Sequence, residues 1–291
     1  MTAQSRYTKY DTWAWLYNLT MGSTYAAEQL TILEKVLLPL LPKSQHILDL
    51  CCGTGQLSML LSRQGYRVTG LDGSEQMLKY AQENSGLSDA QADFILGDAR
   101  SFSLSTPVDA VISTSASLNH IMSPEELTSV FHQVNQVLKP GGIFWFDVNH
   151  HEQMTKWWRD RLTEGEIKST YAWGIVPHYD PEARRGAFQV RLYQEIKNPK
   201  FNPIQSLKNI AYRILALQRF IGLRLKVLNK FDTWQPNWDY SELDYPVRGH
   251  SASEIRQSLE ESDFTNISVL TLDGAELDEN HSAYFLAYKH L

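Results

Sequence analysis

Cysteine is nearly absent from this chain: of 291 residues, only Cys51 and Cys52 carry a thiol. Two adjacent thiols cannot build a disulfide framework, and no Cys/His spacing resembles a zinc site, so no metal is expected. No stretch approaches the roughly 20 apolar residues that span a bilayer. The first residues, MTAQSRYTKYDTWAW, lack the apolar region of a secretory signal. Acidic residues are missing from one segment, Ile196 to Phe231, which instead carries Lys197, Lys200, Lys208, Arg213, Arg219, Arg224, Lys226 and Lys230. These absences exclude a disulfide scaffold and a membrane-spanning chain. They lead to the expectation of a cytoplasmic protein held together by its core.

What is present is ordinary globular composition, 43% hydrophobic and 21% charged, which excludes a largely disordered chain. The length suits one large domain or a core with an elaboration. A net charge of -6 becomes -14 once the eight basic residues of the acid-free segment are set aside. A remainder so acidic repels phosphate, so no nucleic-acid partner is expected.

Strand and helix patterns alternate through the first half. His46 to Cys51 is a short apolar run fit for a strand buried on both faces, followed by the turn Cys52-Gly-Thr-Gly55 and a helix to Gln64. Further strands are expected at 67–71, 93–97, 109–113 and 142–147, and helices at 74–83 and from the capping box Ser123-Pro-Glu-Glu126. Such alternation marks a parallel sheet with helices on both faces. After Val148 the pattern changes to an expected antiparallel hairpin (167–178 and 187–196), one helix over 206–230, and a Trp- and Pro-rich loop over 232–240. A second capping box, Ser251-Ala-Ser-Glu254, then opens a last helix, followed by strands near 267–272 and 283–289. The expected organisation is an N-terminal helical arm or lid (1–45), an α/β core (46–150 plus 248–291) and an inserted antiparallel and helical cap (151–247) shaping the acceptor site.

The strongest motif is Leu48-Asp-Leu-Cys-Cys-Gly-Thr-Gly55. A Gly-rich turn between strand and helix lets the backbone approach a ligand near the positive end of a helix dipole. Dinucleotide-binding proteins use the same device, though here Gly53-x-Gly55-x-x-Ser58 lacks their third glycine. Asp72 ends the second strand, where a carboxylate can accept from both hydroxyls of a ribose. Asp98 ends the third, where one can accept from an adenine amino group. The alternative reading makes these acids helix caps or solvated strand ends.

Taken together, Leu48 to Gly55, Leu71-Asp-Gly-Ser-Glu-Gln-Met77, Gly97-Asp-Ala-Arg100, Asp109 to Ser113 and Leu138-Lys-Pro-Gly-Gly-Ile-Phe144 resemble the class I S-adenosylmethionine-dependent methyltransferases. The likeness covers nearly all of residues 46–148 and returns more weakly after His250. It implies a Rossmann-like, doubly wound, seven-stranded sheet whose antiparallel strand is 283–289, with S-adenosyl-L-methionine as cofactor. It further implies a cofactor-binding set of Tyr17, Asp49, Cys51, Gly53, Gly55, Asp72, Gly73, Met77, Asp98, Ala99 and Ser115. Many members have Gly in place of Cys51, a small residue whose contact there would be through its backbone.

A proton acceptor belongs past the C-terminal strand ends, and histidine suits that task near neutral pH. Two groups qualify, Ser113 to His120 and Asn149-His150-His151. The segment Ala116 to Ile121 is similar to that of sugar N-methyltransferases, where the corresponding histidine sits beside the acceptor. His120 is accordingly the candidate catalytic residue, with Tyr10, Asn149 and His150 as substrate candidates. Tyr10 and Tyr17 lie in an arm resembling the lid segment of small-molecule methyltransferases. Of eight Trp, only Trp145 falls on an expected core strand. Aromatics outside the sheet suit a lid over an apolar or cationic ligand, or simply the packing of arm and insertion onto the core.

In 206–230, Ile210, Ile214, Leu217, Ile221 and Leu225 form a helical stripe among basic residues. Most such helices pack their stripe on the protein; the sharper expectation is peripheral contact with a membrane. The function expected is methyl transfer to the N, O or C atom of a small-molecule acceptor, lipophilic acceptors included. The competing expectation is an inactive S-adenosylmethionine- or dinucleotide-binding protein with a role in assembly.

Overall fold

The computed structural model describes residues 3–87, 90–196 and 203–291, without the side chains of 3–8 and 203–206. Lys197 and Lys200 of the basic segment fall outside the described residues. The chain divides into two compact units, Met1–Gln153 with Arg248–Leu291, and Met154–Val247.

The first unit opens with α1 (Ala3–Leu19) and α2 (Met21–Val36). It continues with β1 (His46–Leu50), α3 (Gln56–Arg63), β2 (Arg67–Asp72), α4 (Glu75–Gly86), β3 (Asp93–Leu96), β4 (Val108–Ser113), α5 (Pro124–Val137), β5 (Leu138–Val148) and α6 (His151–Trp157), the last running across the unit boundary. Local chemistry sets these starts. Ser74 accepts from the Met77 amide and Ser123 from the Glu126 amide, with Pro124 opening α5, each cap stabilising its helix by about 1 kcal/mol. The second unit holds β6 (Glu164–Ile167), β7 (Tyr171–Asp180), β8 (Arg185–Glu195), α7 (Pro203–Leu215), α8 (Ile221–Leu228), α9 (Phe231–Trp234) and β9 (Trp238–Arg248). The chain then returns to the first unit with α10 (Ala252–Glu261), β10 (Phe264–Leu270) and β11 (Ala283–Lys289).

Seven strands form one sheet in the order β10-β11-β5-β4-β1-β2-β3. The β1–β2, β1–β4, β2–β3 and β4–β5 pairs are parallel, and β11 runs antiparallel to both β5 and β10. This is the Rossmann-like α/β sheet expected from the sequence, with 283–289 as its antiparallel strand. Strand order reverses between β1 and β4, and ligands of open α/β sheets bind at that point, beyond the carboxyl ends of the strands.

Both faces of the sheet are apolar, because helices cover both. On β5, Phe144 and Phe146 join Phe131, Phe264 and Phe285 on one side, while Ile143 and Trp145 meet the α2 and α3 residues Leu33, Leu57 and Leu61 on the other. Burying each such side chain stabilises the fold by about 1.5–3 kcal/mol, against 0–1 kcal/mol for a surface pair such as Lys139–Asp109. Packing therefore holds the sheet.

The second unit carries a four-stranded sheet of order β6-β7-β8-β9, with β6–β7 and β7–β8 antiparallel. Two expectations need correction here. The single helix over 206–230 is interrupted after Leu215, where Leu217 turns extended (ψ 139°) and Arg224 Nη1 donates to the freed Leu215 carbonyl at 3.1 Å. The expected loop over 232–240 contains the end of α9 and the start of β9, whose Trp238 packs edge-on against Phe231.

Candidate active site

The Gly-rich turn after β1 is shaped by backbone that only small residues tolerate. Gly53 and Gly55 adopt φ of 55° and 76°, and Cys51 shares that left-handed region at 65°. A Cβ on Gly55 would lie 2.8 Å from Phe94 Cζ and 2.9 Å from Ala81 Cβ, so helix, strand and turn close on this glycine. The Cys51 and Cys52 amides both donate to the Leu71 carbonyl, at 2.7 and 3.0 Å, which fastens the turn to the end of β2.

Three carboxylates gather at the strand ends. Asp49, buried on β1, accepts from the Ser58 hydroxyl at 2.6 Å. Burial pushes its pKa up to about 6, aided by the neighbouring Asp72 charge and opposed by the Ser58 hydrogen bond. Asp72 accepts from the Gly53 and Ser74 amides, each at 2.9 Å. Burial raises its pKa too, against those amides and that of Gly73. Asp147, at the end of β5, was not among the residues singled out from sequence. It is 4% exposed and accepts from the Ala116 amide at 2.9 Å, while its Oδ1 has no hydrogen-bond partner. Burial pushes its pKa up to about 7 despite the Ala116 and Ser115 amides. Those two residues both adopt left-handed backbone, φ 58° and 56°, so the Asp147 carboxylate fastens a strained loop after β4. The sequence signal was an acid closing the apolar run Gly142 to Val148.

The N-terminal helix lies over this turn. Tyr17 Cε1 is 3.5 Å from the place a Gly53 Cβ would take, and burial with the Asp49 and Asp72 charges raises the Tyr17 pKa. Asn18 accepts from Gln56 and Asn84, both at 2.8 Å, and Asp11 accepts from the Ser74 hydroxyl at 2.6 Å. Tyr17, Tyr25, Asp49, Cys51, Cys52 and Ser115 help line a cavity of about 40 Å³ beneath it. No lysine or arginine is among the cavity's lining residues.

The remaining sequence candidates are placed as follows. Met77 and Ala99 are buried in the core. Asp98 is engaged by Arg100, whose Nε donates to it at 2.8 Å and whose Nη1 reaches Glu126, a pairing not foreseen from sequence. The Lys139-Pro-Gly-Gly142 segment begins β5, far along the strand from its ligand-facing end, where Lys139 pairs with Asp109. His120 closes the short helix Ser117–His120 after β4, and the Tyr10 ring meets it edge-on, centroids 5.5 Å apart.

His150 is 2% exposed, with Nδ1 2.8 Å from Glu152 and Nε2 3.0 and 3.1 Å from the carbonyls of Asp278 and His281, so both nitrogens have partners within the fold. Asn149 is likewise tied down, its Oδ1 accepting from Ser282 at 3.1 Å. Asn119, fully buried and missed in the sequence, links the post-β4 loop to the Asn149 and Arg248 carbonyls at 2.8 Å each.

Residues 47–142 match the methyltransferase domain family. The chain is 32% identical over 162 residues to the uncharacterized methyltransferase sll0829 of Synechocystis sp. (strain ATCC 27184 / PCC 6803 / Kazusa), covering 55% of this chain and 72% of that protein. The chain belongs to the S-adenosylmethionine-dependent methyltransferases. Other curated relatives are matched over about half their length. YqeM of Bacillus subtilis (strain 168), provisionally named a methyltransferase, is 40% identical over 110 residues, 38% of this chain and 44% of that protein. The dTDP-3-amino-3,4,6-trideoxy-alpha-D-glucopyranose N,N-dimethyltransferase of Streptomyces venezuelae is 32% identical over 136 residues, 45% of this chain and 55% of that protein. An S-adenosylmethionine-dependent methyltransferase of Clostridium acetobutylicum ATCC 824 shares the fold, with a TM-score of 0.69 at 15% identity over 97% of this chain and 99% of that one.

The residues present fit this family's cofactor. A cavity bordered by buried Asp49, faced by Tyr17 and Tyr25 and lined without lysine or arginine, with the Asp72 charge acting on Tyr17, suits a ligand bearing positive charge. It suits a pyrophosphate poorly.

Proposed function

We propose that this chain transfers a methyl group from S-adenosylmethionine to a small-molecule acceptor, an amine first among them. The observation that carries this reading is the cavity lined by Tyr17, Tyr25, Asp49, Cys51 and Cys52, with the Asp49 carboxylate and no lysine or arginine among its lining residues. Asp72 accepts from the ribose hydroxyls through the lone pairs that Gly53 and Ser74 leave open. Gly53 keeps the turn free of a side chain beneath Tyr17, while Gly55 lets it close on Phe94 and Ala81. The cofactor supplies an electrophilic methyl on a sulfonium centre, open to in-line displacement by a lone pair.

On the acceptor side, His120 takes or holds the acceptor's proton, and Tyr10 sets the plane of its ring. In this reading α1 moves as the ligand enters beside Tyr17 and Tyr25, which line the cavity. The polar ties of Asp11 and Asn18 to α3 and α4 suit such a movement, because water replaces them at little cost. The N,N-dimethyltransferase name of the Streptomyces venezuelae relative supports an amino-bearing acceptor here. The free, half-buried thiols of Cys51 and Cys52 support a reducing, cytoplasmic setting.

The test is calorimetric titration with S-adenosylhomocysteine, with NADH as control, followed by methyl-transfer assays on amines and phenols. Binding of S-adenosylhomocysteine alone, lost in Asp72→Ala, and turnover of one acceptor class are expected. Binding of NADH instead would overturn the reading.

A further inference from the structure

Helices α7 and α8 are apolar on two sides, and the protein uses only one. Tyr212, Leu215 and Leu228 pack with Ile167, Tyr193 and Phe231 in the core of the second unit. The stripe of Ile210, Ile214, Leu217 and Ile221 does not join them. These residues are 56, 49, 47 and 44% exposed, and Leu207, one turn before Ile210, is 68% exposed. On α7 the outward set (Leu207, Ile210, Ile214) and the inward set (Tyr212, Leu215) are centred about 140° apart around the axis. A single exposed apolar side chain is ordinary, but Leu207, Ile210 and Ile214, spaced by three and four residues on α7, form a face, and Leu217 and Ile221 beyond the break are exposed as well.

The charges on this segment are of one sign. No acid occurs from Ile196 to Phe231, and the remainder of the chain carries -14. Two of the basic groups serve the fold: Lys208 Nζ donates to the Trp234 carbonyl at 2.6 Å, and Arg224 caps α7. Arg213, Arg219, Lys226 and Lys230 are exposed. Trp234, 41% exposed with Lys208 over its ring at 5.6 Å, adds an amphipathic aromatic group of the kind that favours a membrane interface.

We propose that α7 and α8 dock on an anionic lipid surface, with the Leu207–Ile221 stripe among the acyl chains and Arg213, Arg219, Lys226 and Lys230 at the headgroups. The occupant must be apolar and anionic within one face. A bilayer leaflet offers both in successive layers, whereas a nucleic acid offers no apolar layer. A second copy meeting this face with its own would set basic residues against each other. Among the described residues, no helix is long and apolar enough to cross a membrane, so the contact is peripheral. The acidic remainder is repelled from the same surface, which orients the docked protein.

The experiment is flotation of the full chain with phosphatidylcholine vesicles, with and without phosphatidylglycerol. The protein is expected to float only with the anionic vesicles and to be released by added salt. Arg219→Glu is expected to lower partitioning by about tenfold, and Ile214→Glu by a similar factor, with thermal stability unchanged because both side chains are exposed. Absence of flotation, or flotation indifferent to both variants, overturns the proposal. So does light scattering that shows self-association abolished by Ile214→Glu without vesicle binding, which would make the face an interface between copies.

Discussion

Tyr10 of α1 meets His120 edge-on, with ring centroids 5.5 Å apart and planes at 89°. A residue of the N-terminal helix thereby fixes the ring of the candidate base, which sits beyond the end of β4. His120→Ala is expected to lower kcat by about 10²- to 10⁴-fold, the usual contribution of a general base, while S-adenosylhomocysteine affinity stays unchanged. Tyr10→Ala should raise the acceptor KM more than it lowers kcat, because it frees the imidazole without removing it. Steady-state kinetics with calorimetry checks both. Wild-type turnover in His120→Ala would remove this histidine from the chemistry.

Asp72 has two tasks that substitutions separate. Its carboxylate holds the Gly53 and Ser74 amides, each at 2.9 Å, and in the proposed function it also meets the ribose. Asp72→Asn loses the charge and keeps only one of the two acceptor oxygens, since Gly53 donates to Oδ2 and Ser74 to Oδ1. It should weaken S-adenosylhomocysteine binding by about 10- to 100-fold, as expected when charge-assisted hydrogen bonds are lost, and lower Tm less than Asp72→Ala does. Asp72→Ala should lose binding and lower Tm as well. Equal affinity in the Asn variant and the wild type would exclude the ribose contact.

Gly55 should be the turn's least replaceable residue. At φ 76°, with Phe94 Cζ 2.8 Å from any added Cβ, Gly55→Ala combines backbone strain with overpacking and is expected to cost about 2–4 kcal/mol in denaturant unfolding. Gly86 is the control. It ends α4 with nothing within 4 Å of its missing Cβ, so Gly86→Ala should stabilise by about 0.5 kcal/mol.

The difference between these glycines also shows why part of the molecule was legible in sequence. Caps and turns are local, so Ser74, Ser123 and the Ser251–Glu254 box mark their helices directly. Buried strands such as His46–Leu50 announce themselves as apolar runs. The break between α7 and α8 was hidden, because the Arg224 bond to Leu215 joins residues nine apart across an unbroken apolar period. The strand β9 was hidden likewise, since Trp238 and Tyr240 gain their places from Phe231 and Tyr193. The burial of Asn119 and His150, and their hydrogen bonds to backbone 129 and 128 positions away, are features that sequence does not display.

Asp147 should leave a signature in the pH dependence of stability. In the folded protein, burial keeps its proton on to about pH 7, and that of Asp49 to about pH 6. In the unfolded chain both titrate near 4. Between about pH 4 and 7 the folded state therefore binds more protons than the unfolded one, and stability falls as pH rises through that window. The contribution is fully present below about pH 4 and lost above about pH 7. Asp147→Asn keeps an oxygen for the Ala116 amide and removes the titrating group, so its Tm should decline less steeply between about pH 5 and 7.5 than that of the wild type. Ser58→Ala should act in the opposite sense, since it removes the hydrogen bond that holds the Asp49 pKa down. An Asp147→Asn profile parallel to that of the wild type would mean that Asp147 is ionised in the fold, with its Oδ1 then solvated rather than buried without a partner.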